Sequence, residues 1–262
     1  MKLCLMIEGQ EGVTWPQWVA LARAAEDAHL DALFRSDHYR AIGRGDPNGA
    51  LDAWGTICGL AAITSTIKLG TLVTPVTFRK PSVLAKLVTT ADHISGGRVE
   101  LGLGAGWYES EHAAYGFDFM TTTGRLDELD RQLAEITRQW TDAEDIWPKP
   151  IQQPRPRIIV GGRAKPRTVA AAVRYADEYN TVWPTVDEAR ERKKRLDDAA
   201  EQAGRAPLRF SMMIELEGDA DELEEQLRAY ADAGVERVML QHLQHEDVER
   251  VAVLGEVAAR LR

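Results

Sequence analysis

The stretch RIIVGGRAKPRTVAAAVRYADEYNTV, residues 157–182, decides the fold. Arg157 to Val160 is a short run rich in β-branched residues and reads as a strand. Gly161-Gly162 breaks it, a helix begins near Pro166 and runs to about residue 176, and a second strand follows over 178–182. Strand, helix and strand in close succession form the unit of a parallel sheet, because a parallel return needs a crossover.

The same alternation extends in both directions. Towards the N-terminus, strands are expected at 2–8, 30–36, 67–74 and 98–103. Between them lie helices: one opened by a capping box at Thr14-Trp15-Pro16-Gln17, one over 50–63 and one over 81–94. Towards the C-terminus come helix 187–203, strand 207–216, helix 220–233, strand 235–241 and helix 245–261. The stretch 107–156 differs, with a helix near 122–140 followed by a proline-rich link at Trp147–Pro150 and Pro154–Pro156. Eight strands alternating with helices in a chain of 262 residues have the size of a closed (β/α)8 TIM barrel, an α/β fold. A doubly wound open sheet is the alternative. The expected organisation is a single domain over 1–262 with an insertion or link around 107–156.

Hydrophobic residues make up 44% of the chain, enough for a sizeable core, and the net charge is −9. An acidic balance argues against a nucleic-acid partner and suits a small-molecule substrate. No apolar stretch reaches the roughly 18 residues of a membrane span, and the first residues are too soon charged for a signal peptide, so the expected location is cytoplasmic. Cys4 and Cys58 lie in apolar segments and read as small buried hydrophobes, and no Cys/His cluster has metal-ligand spacing. The charge run Glu188–Arg195 pairs Glu188 with Arg192 and Glu191 with Arg195 at helical spacing, the pattern of a solvated outer helix.

In such a barrel the chemistry sits at the C-terminal ends of the strands. The second strand delivers Ser36-Asp37-His38 there, the third Thr71-Leu72-Val73-Thr74-Pro75, and the fourth Gly102 to Trp107, with Ala105 and Gly106 between. The fifth delivers Val160-Gly161-Gly162-Arg163. The fourth-strand glycines lack the G-x-G-x-x-G spacing of a dinucleotide fingerprint. They either let a flat ligand approach the backbone or narrow the strand for packing. Gly161 and Gly162, ahead of a helix and beside Arg163, Lys165 and Arg167, read as an anion turn, with a plain left-handed turn as the alternative. His38 suits proton transfer near neutral pH, with Asp37 beside it to orient it or to hold a ligand.

Together these residues resemble the luciferase-like flavin and deazaflavin oxidoreductases. The matching pieces are Ser36-Asp37-His38, Leu69–Thr74, Lys80-Pro81, Asp92–Arg98, Leu101–Trp107, Tyr115–Phe117, Ile159–Gly162 and Arg174–Asp177. The string DHISGGR…LGLGAGW is specific to that family, and SDH with RYADEYN resembles its coenzyme F-420 branch. The resemblance implies a deazaflavin at the barrel mouth, its ring on a strand-three bulge at Leu72, flanked by Thr71 and Thr74. Asp37 and His38 would line the ring's polar edge, the tail phosphate would lie on Gly161, Gly162 and Arg163, and Ala105, Gly106, Trp107 and Val160 would complete the cofactor-binding residues. It also implies a non-proline cis peptide at Thr71–Leu72 or one residue away. Relatives that oxidise sugar phosphates carry a glutamate where Trp107 stands, so that substrate does not fit.

The expected function is an F-420-dependent oxidoreductase that moves a hydride to or from a small organic substrate, with His38 as the catalytic residue. The alternatives are an FMN-dependent monooxygenase served by a flavin reductase partner, a non-catalytic cofactor-binding protein, and a phosphate-substrate isomerase or lyase. Barrels of this family often pair, which makes Trp15, Trp54, Trp140 and Trp147 candidates for a homodimer interface.

Overall fold

The computed structural model describes residues 1–43 and 49–261. Its elements in chain order are β1 (Lys2–Ile7), α1 (Trp15–Asp27), β2 (Ala32–Arg35), α2 (Ala53–Ile63), β3 (Lys68–Thr71), β4 (Thr74–Pro75), α3 (Pro81–Ser95), β5 (Val99–Gly104), α4 (Glu109–Tyr115) and α5 (Thr122–Thr141). Then follow β6 (Arg157–Gly161), α6 (Pro166–Tyr175), β7 (Glu178–Val182), α7 (Val186–Gln202), β8 (Arg209–Ile214), α8 (Ala220–Asp232), β9 (Arg237–His242) and α9 (Glu249–Arg260). Neighbouring strands pair in parallel in the order β3-β2-β1-β9-β8-β7-β6-β5-β4, and β3 against β5 closes the ring. β3 and β4 are two halves of one barrel strand, so the closed (β/α)8 barrel has eight staves.

Leu72 and Val73 separate those halves, and the peptide bond between them is cis, one residue beyond Thr71–Leu72. The displaced backbone takes the room that glycines leave on the next strands. A Cβ on Gly102 would lie 2.0 Å from the Thr71 carbonyl oxygen. One on Gly104 would lie 2.6 Å from Val73 Cγ2, and one on Gly161 3.2 Å from Val73 Cγ1. This corrects the ligand-approach reading of Gly102 and Gly104: strand three itself fills their space.

Side chains alternate across each strand, so two cores form. Leu3, Leu5 and Ile7 of β1 face the helices, while Cys4 and Met6 join Ala32, Phe34, Leu72, Ile159, Met213 and Met239 inside the barrel. The barrel floor, at the N-terminal strand ends, is charged. Arg237 is fully buried there, 2.6 Å from Glu100, 3.2 Å from Glu178 and 2.9 Å from Asp31, and its Nε donates to Cys4 Sγ at 3.1 Å. Burial acts to raise the Asp31 carboxyl, but Arg237 with the Lys68 and Lys2 ammoniums outweighs it and holds the group below the ordinary carboxylate range. Burial pushes the Cys4 thiol up to about 12, so it sits there as a neutral group.

The outer helix α7 carries the expected ion pairs Glu188–Arg192 and Glu191–Arg195. Two of the tryptophans proposed for a dimer interface are corrected. Trp54 is fully buried and donates to Thr74 Oγ1 at 3.1 Å, and Trp140 is buried against α3, donating to Ala85 O and Thr89 Oγ1. Trp15 and Trp147 are exposed. The region 107–156, expected as an insertion or link, holds the short helix α4, which the sequence reading did not anticipate, and α5. Among the described residues no helix is long and apolar enough to cross a membrane.

Candidate active site

The barrel mouth sorts the expected site residues by the face of the strand they occupy. Thr71, Thr74, Val160 and Asp37 are buried, and Val160 packs in the core between strands and helices. Leu72 shows an edge, Ala105, Gly106, Gly161 and Gly162 are partly open, and Trp107 and Arg163 are exposed. Those four buried side chains support the rim from within the protein.

That support is a chain of hydrogen bonds. Trp54 Nε1 donates to Thr74 Oγ1, which lies 2.8 Å from Asp37 Oδ2 as its donor. Thr71 Oγ1 donates to Gly102 O at 3.0 Å. Arg79, from the segment after β4, donates to Asp37 at 2.6 Å and also pairs with Asp52. Burial disfavours the charge on Arg79, but Asp37 and Asp52 outweigh it and raise its pKa. Burial is the main reason that the Tyr39 hydroxyl, beside this cluster, is pushed up to about 12. Asp37 thus has both oxygens engaged by Thr74 and Arg79 inside the protein.

His38 has a different setting. Its side chain is 13% exposed, and its Nδ1 lies 2.8 Å from Oε1 of Glu111, a carboxylate only 1% exposed. The second oxygen, Oε2, accepts from the Tyr39 amide at 3.0 Å. Trp107 and Tyr108 meet the imidazole edge to face, with centroids at 5.8 and 6.1 Å. Nε2 has no hydrogen-bond partner among the described residues and is not among the buried unsatisfied atoms, so it stays open to the mouth. The sequence reading missed Glu111. The available signal was a carboxylate one helical turn past Trp107, but only the fold shows that it turns back to His38.

The other histidines are accounted for. His112 is fully buried, bonded through Nε2 to Thr77 Oγ1 and through Nδ1 to Tyr108 O, and serves packing. His93 reaches Lys149 O from the surface of α3. His242, at the end of β9, was not considered as a rim residue. It is buried, and burial lowers its pKa.

Deeper in the mouth, Glu8 accepts from Gln10 at 2.9 Å and from Gln241 at 2.7 Å, and Ser36 donates to Gln10. A second exposed indole, Trp183, stands at the end of β7 with φ +40°, a conformation uncommon outside glycine. Trp107 and Trp183 thus flank the end of β6, two strands apart, with Gly161 and Gly162 between them.

The turn after β6 is less free than its glycines suggested. The Gly162 amide donates to Asn180 O at 2.9 Å and the Ala164 amide to the Tyr179 hydroxyl at 2.9 Å. A Cβ on Gly162 would lie 2.7 Å from that hydroxyl, so internal packing already requires this glycine. The amides of Arg163, Lys165, Arg167 and Thr168 have no acceptor among the described residues, and the Arg163 and Lys165 side chains are in no ion pair there. These are the unpaired amides of a helix start.

A closed parallel (β/α)8 barrel with a third strand broken at Leu72 and Val73 and an imidazole just past the end of β2 sets the fold and its rim. The chain belongs to the luciferase-like monooxygenase family, whose model matches residues 4–260. It is 30% identical over 253 residues to the uncharacterized protein Rv0953c of Mycobacterium tuberculosis, covering 91% of this chain and 83% of that one. Its fold matches an F420-dependent secondary alcohol dehydrogenase solved with an F420-acetone adduct, with a TM-score of 0.84 at 16% identity over 100% of this chain and 99% of that one. It also matches the oxygenating constituent of the 3,6-diketocamphane monooxygenase of Pseudomonas putida, solved with FMN, with a TM-score of 0.80 at 15% identity over 99% and 98%. Family members are oxidoreductases or monooxygenases, and at these identities the structural matches carry the fold alone.

Proposed function

We propose that this protein is an F-420-dependent oxidoreductase acting on a small organic substrate, with His38 as the catalytic residue. The observation that carries the reading is His38 itself, held through Nδ1 by a buried carboxylate with Nε2 open at the mouth. Leu72 and Val73 offer an apolar seat for the ring, and Ala105, Gly106 and Trp107 border it. The free amides of Arg163, Lys165, Arg167 and Thr168, with the Arg163 side chain, hold the tail phosphate, while Gly161 and Gly162 keep the approach clear of side chains. A bound deazaflavin supplies a carbon centre that accepts or releases hydride and reacts poorly with oxygen, because carbon replaces N5.

The protein's own contribution is the proton. His38 Nε2 takes the proton of a substrate hydroxyl as that carbon is oxidised and returns it in the reverse direction. The bulky indoles of Trp107 and Trp183 limit water at the mouth once a ligand lies between them.

Titrating the protein with F-420 and, separately, with FMN, followed by absorbance and fluorescence, tests the reading. Saturable binding of F-420 at micromolar concentration, with weak or no binding of FMN, is expected. Tight FMN binding with oxygen consumption on addition of a flavin reductase would replace this reading with a monooxygenase. Binding of neither would remove the cofactor from the proposal.

A further inference from the structure

We infer that Glu111 is a positioning residue: it fixes the His38 imidazole with its proton on Nδ1 and leaves Nε2 bare towards the mouth. The role of that bare nitrogen in turnover rests on the proposed function, but the tautomer itself does not.

Glu111 sits in α4 with its side chain 1% exposed. Among the described residues it meets no arginine or lysine: its partners are the His38 ring at 2.8 Å and the Tyr39 amide at 3.0 Å. A carboxylate in its ionised form only accepts hydrogen bonds, so opposite that form Nδ1 donates. A neutral imidazole that donates from Nδ1 has an unprotonated Nε2, which can accept a proton from a ligand. The carboxylate also faces the positive charge that the ring acquires when Nε2 takes that proton. Without Glu111, no neighbour among the described residues selects one nitrogen over the other: the edge contacts to Trp107 and Tyr108 hold the ring plane but do not choose a tautomer.

The carboxylate can do this because α4 is tied to the segment after β2 at several points. Arg40 Nη1 donates to Ser110 Oγ at 3.0 Å, and the Tyr108 hydroxyl donates to Ala41 O at 3.2 Å. His112, the next residue, anchors the helix from beneath through Thr77 Oγ1 at 2.6 Å and Tyr108 O at 2.8 Å. Its ring lies 5.2 Å from Phe78 and 4.7 Å from Phe119. Glu111 therefore meets His38 from a helix that cannot easily drift, and a preorganised partner is what holding one tautomer requires.

The test reads the tautomer directly, in the full chain without cofactor or substrate. Protein carrying ¹⁵N-labelled histidine is studied by two-bond ¹H–¹⁵N correlation above pH 8, and His38→Gln identifies the His38 signals among the six histidines. The expected wild-type pattern is a protonated Nδ1 and a bare Nε2. In Glu111→Gln one amide face turns to Tyr39 or to His38, and the pattern should move to a protonated Nε2 or a mixture. Glu111→Asp keeps the carboxylate and should restore the Nδ1–H form in part, which also covers the case in which the glutamine variant does not fold. A protonated Nε2 in the wild type, or an unchanged pattern in both variants, overturns the inference. Loss of F-420 binding by the wild type would sink the proposed function and leave this result standing. With cofactor bound, Glu111→Gln should lower kcat by roughly 10²-fold or more at unchanged KM, as a wrong tautomer does in other imidazole–carboxylate pairs. A lower kcat with no change of tautomer would assign Glu111 a merely structural part and overturn the inference as well.

Discussion

The seat for strand three yields a prediction in which two glycines on one strand behave differently. Neither Gly102 nor Gly104 has a left-handed backbone, so alanine is allowed at both and only space is at issue. At Gly104 the added methyl meets the Val73 side chain, Cγ2 at 2.6 Å and Cβ at 3.7 Å. At Gly102 it meets the Thr71 backbone, carbonyl oxygen at 2.0 Å and carbon at 3.0 Å, with Val73 Cγ1 only at 3.0 Å. Overpacking of this kind costs about 1–3 kcal/mol. Trimming the partly buried Val73 to alanine removes two methyl groups and costs about 1 kcal/mol by itself. In the double variant Gly104→Ala/Val73→Ala the clash is gone, so the two changes should compensate by about 1–2 kcal/mol. Gly102→Ala should gain much less from Val73→Ala, because its obstacle is a carbonyl that trimming does not move. Urea unfolding of the wild type, the three single variants and the two doubles gives both coupling terms, and each kcal/mol should also move the melting temperature by about 2–4 °C. Additivity of Gly104→Ala with Val73→Ala to within about 0.5 kcal/mol would refute the claim that Val73 occupies the glycine's space.

Other expectations follow from the mouth and the floor. His38→Ala should bind F-420 with nearly wild-type affinity while turnover falls by roughly 10²–10⁴-fold, and wild-type turnover at saturating cofactor would return the proton step to water or substrate. Arg163→Ala should weaken cofactor binding by about 1–3 kcal/mol in isothermal titration, with unchanged affinity moving the phosphate away from the start of α6. Removing Arg237, as Arg237→Met, leaves Glu100, Glu178 and Asp31 without their buried partner and should cost about 3–5 kcal/mol by denaturant unfolding. The Asp31 carboxyl has a folded-state pKa below its unfolded value, so its stabilisation is complete above about pH 4 and is lost as pH falls through the folded value. The stability gap between wild type and Asp31→Asn should therefore be widest above pH 4 and narrow on acidification, and a gap independent of pH would contradict that assignment.

The barrel was legible because its signals are local. Short apolar strands alternate with capped helices, and the expected spans match the observed ones closely at β1, α3 and β7. The ends were less so: α9 starts at Glu249 where 245 was expected, since the turn before it is also polar. His38 and Trp107 lie a few residues past the ends of β2 and β5, as the strand pattern led one to expect. The burial of Asp37, Thr71, Thr74 and Val160 was not foreseen for the site, although strand alternation contains it: residues one apart cannot share a face. Glu111 lay beyond reach for a different reason. Its contact with His38 spans 73 residues and depends on how a short helix after β5 folds back towards the end of β2, two strands away, which no periodicity encodes.

The charged floor has a consequence for traffic. With Arg237 and its three carboxylates packed at one end and Phe34, Met6 and Met239 filling the lumen, the barrel is no channel: nothing passes along its axis from floor to rim.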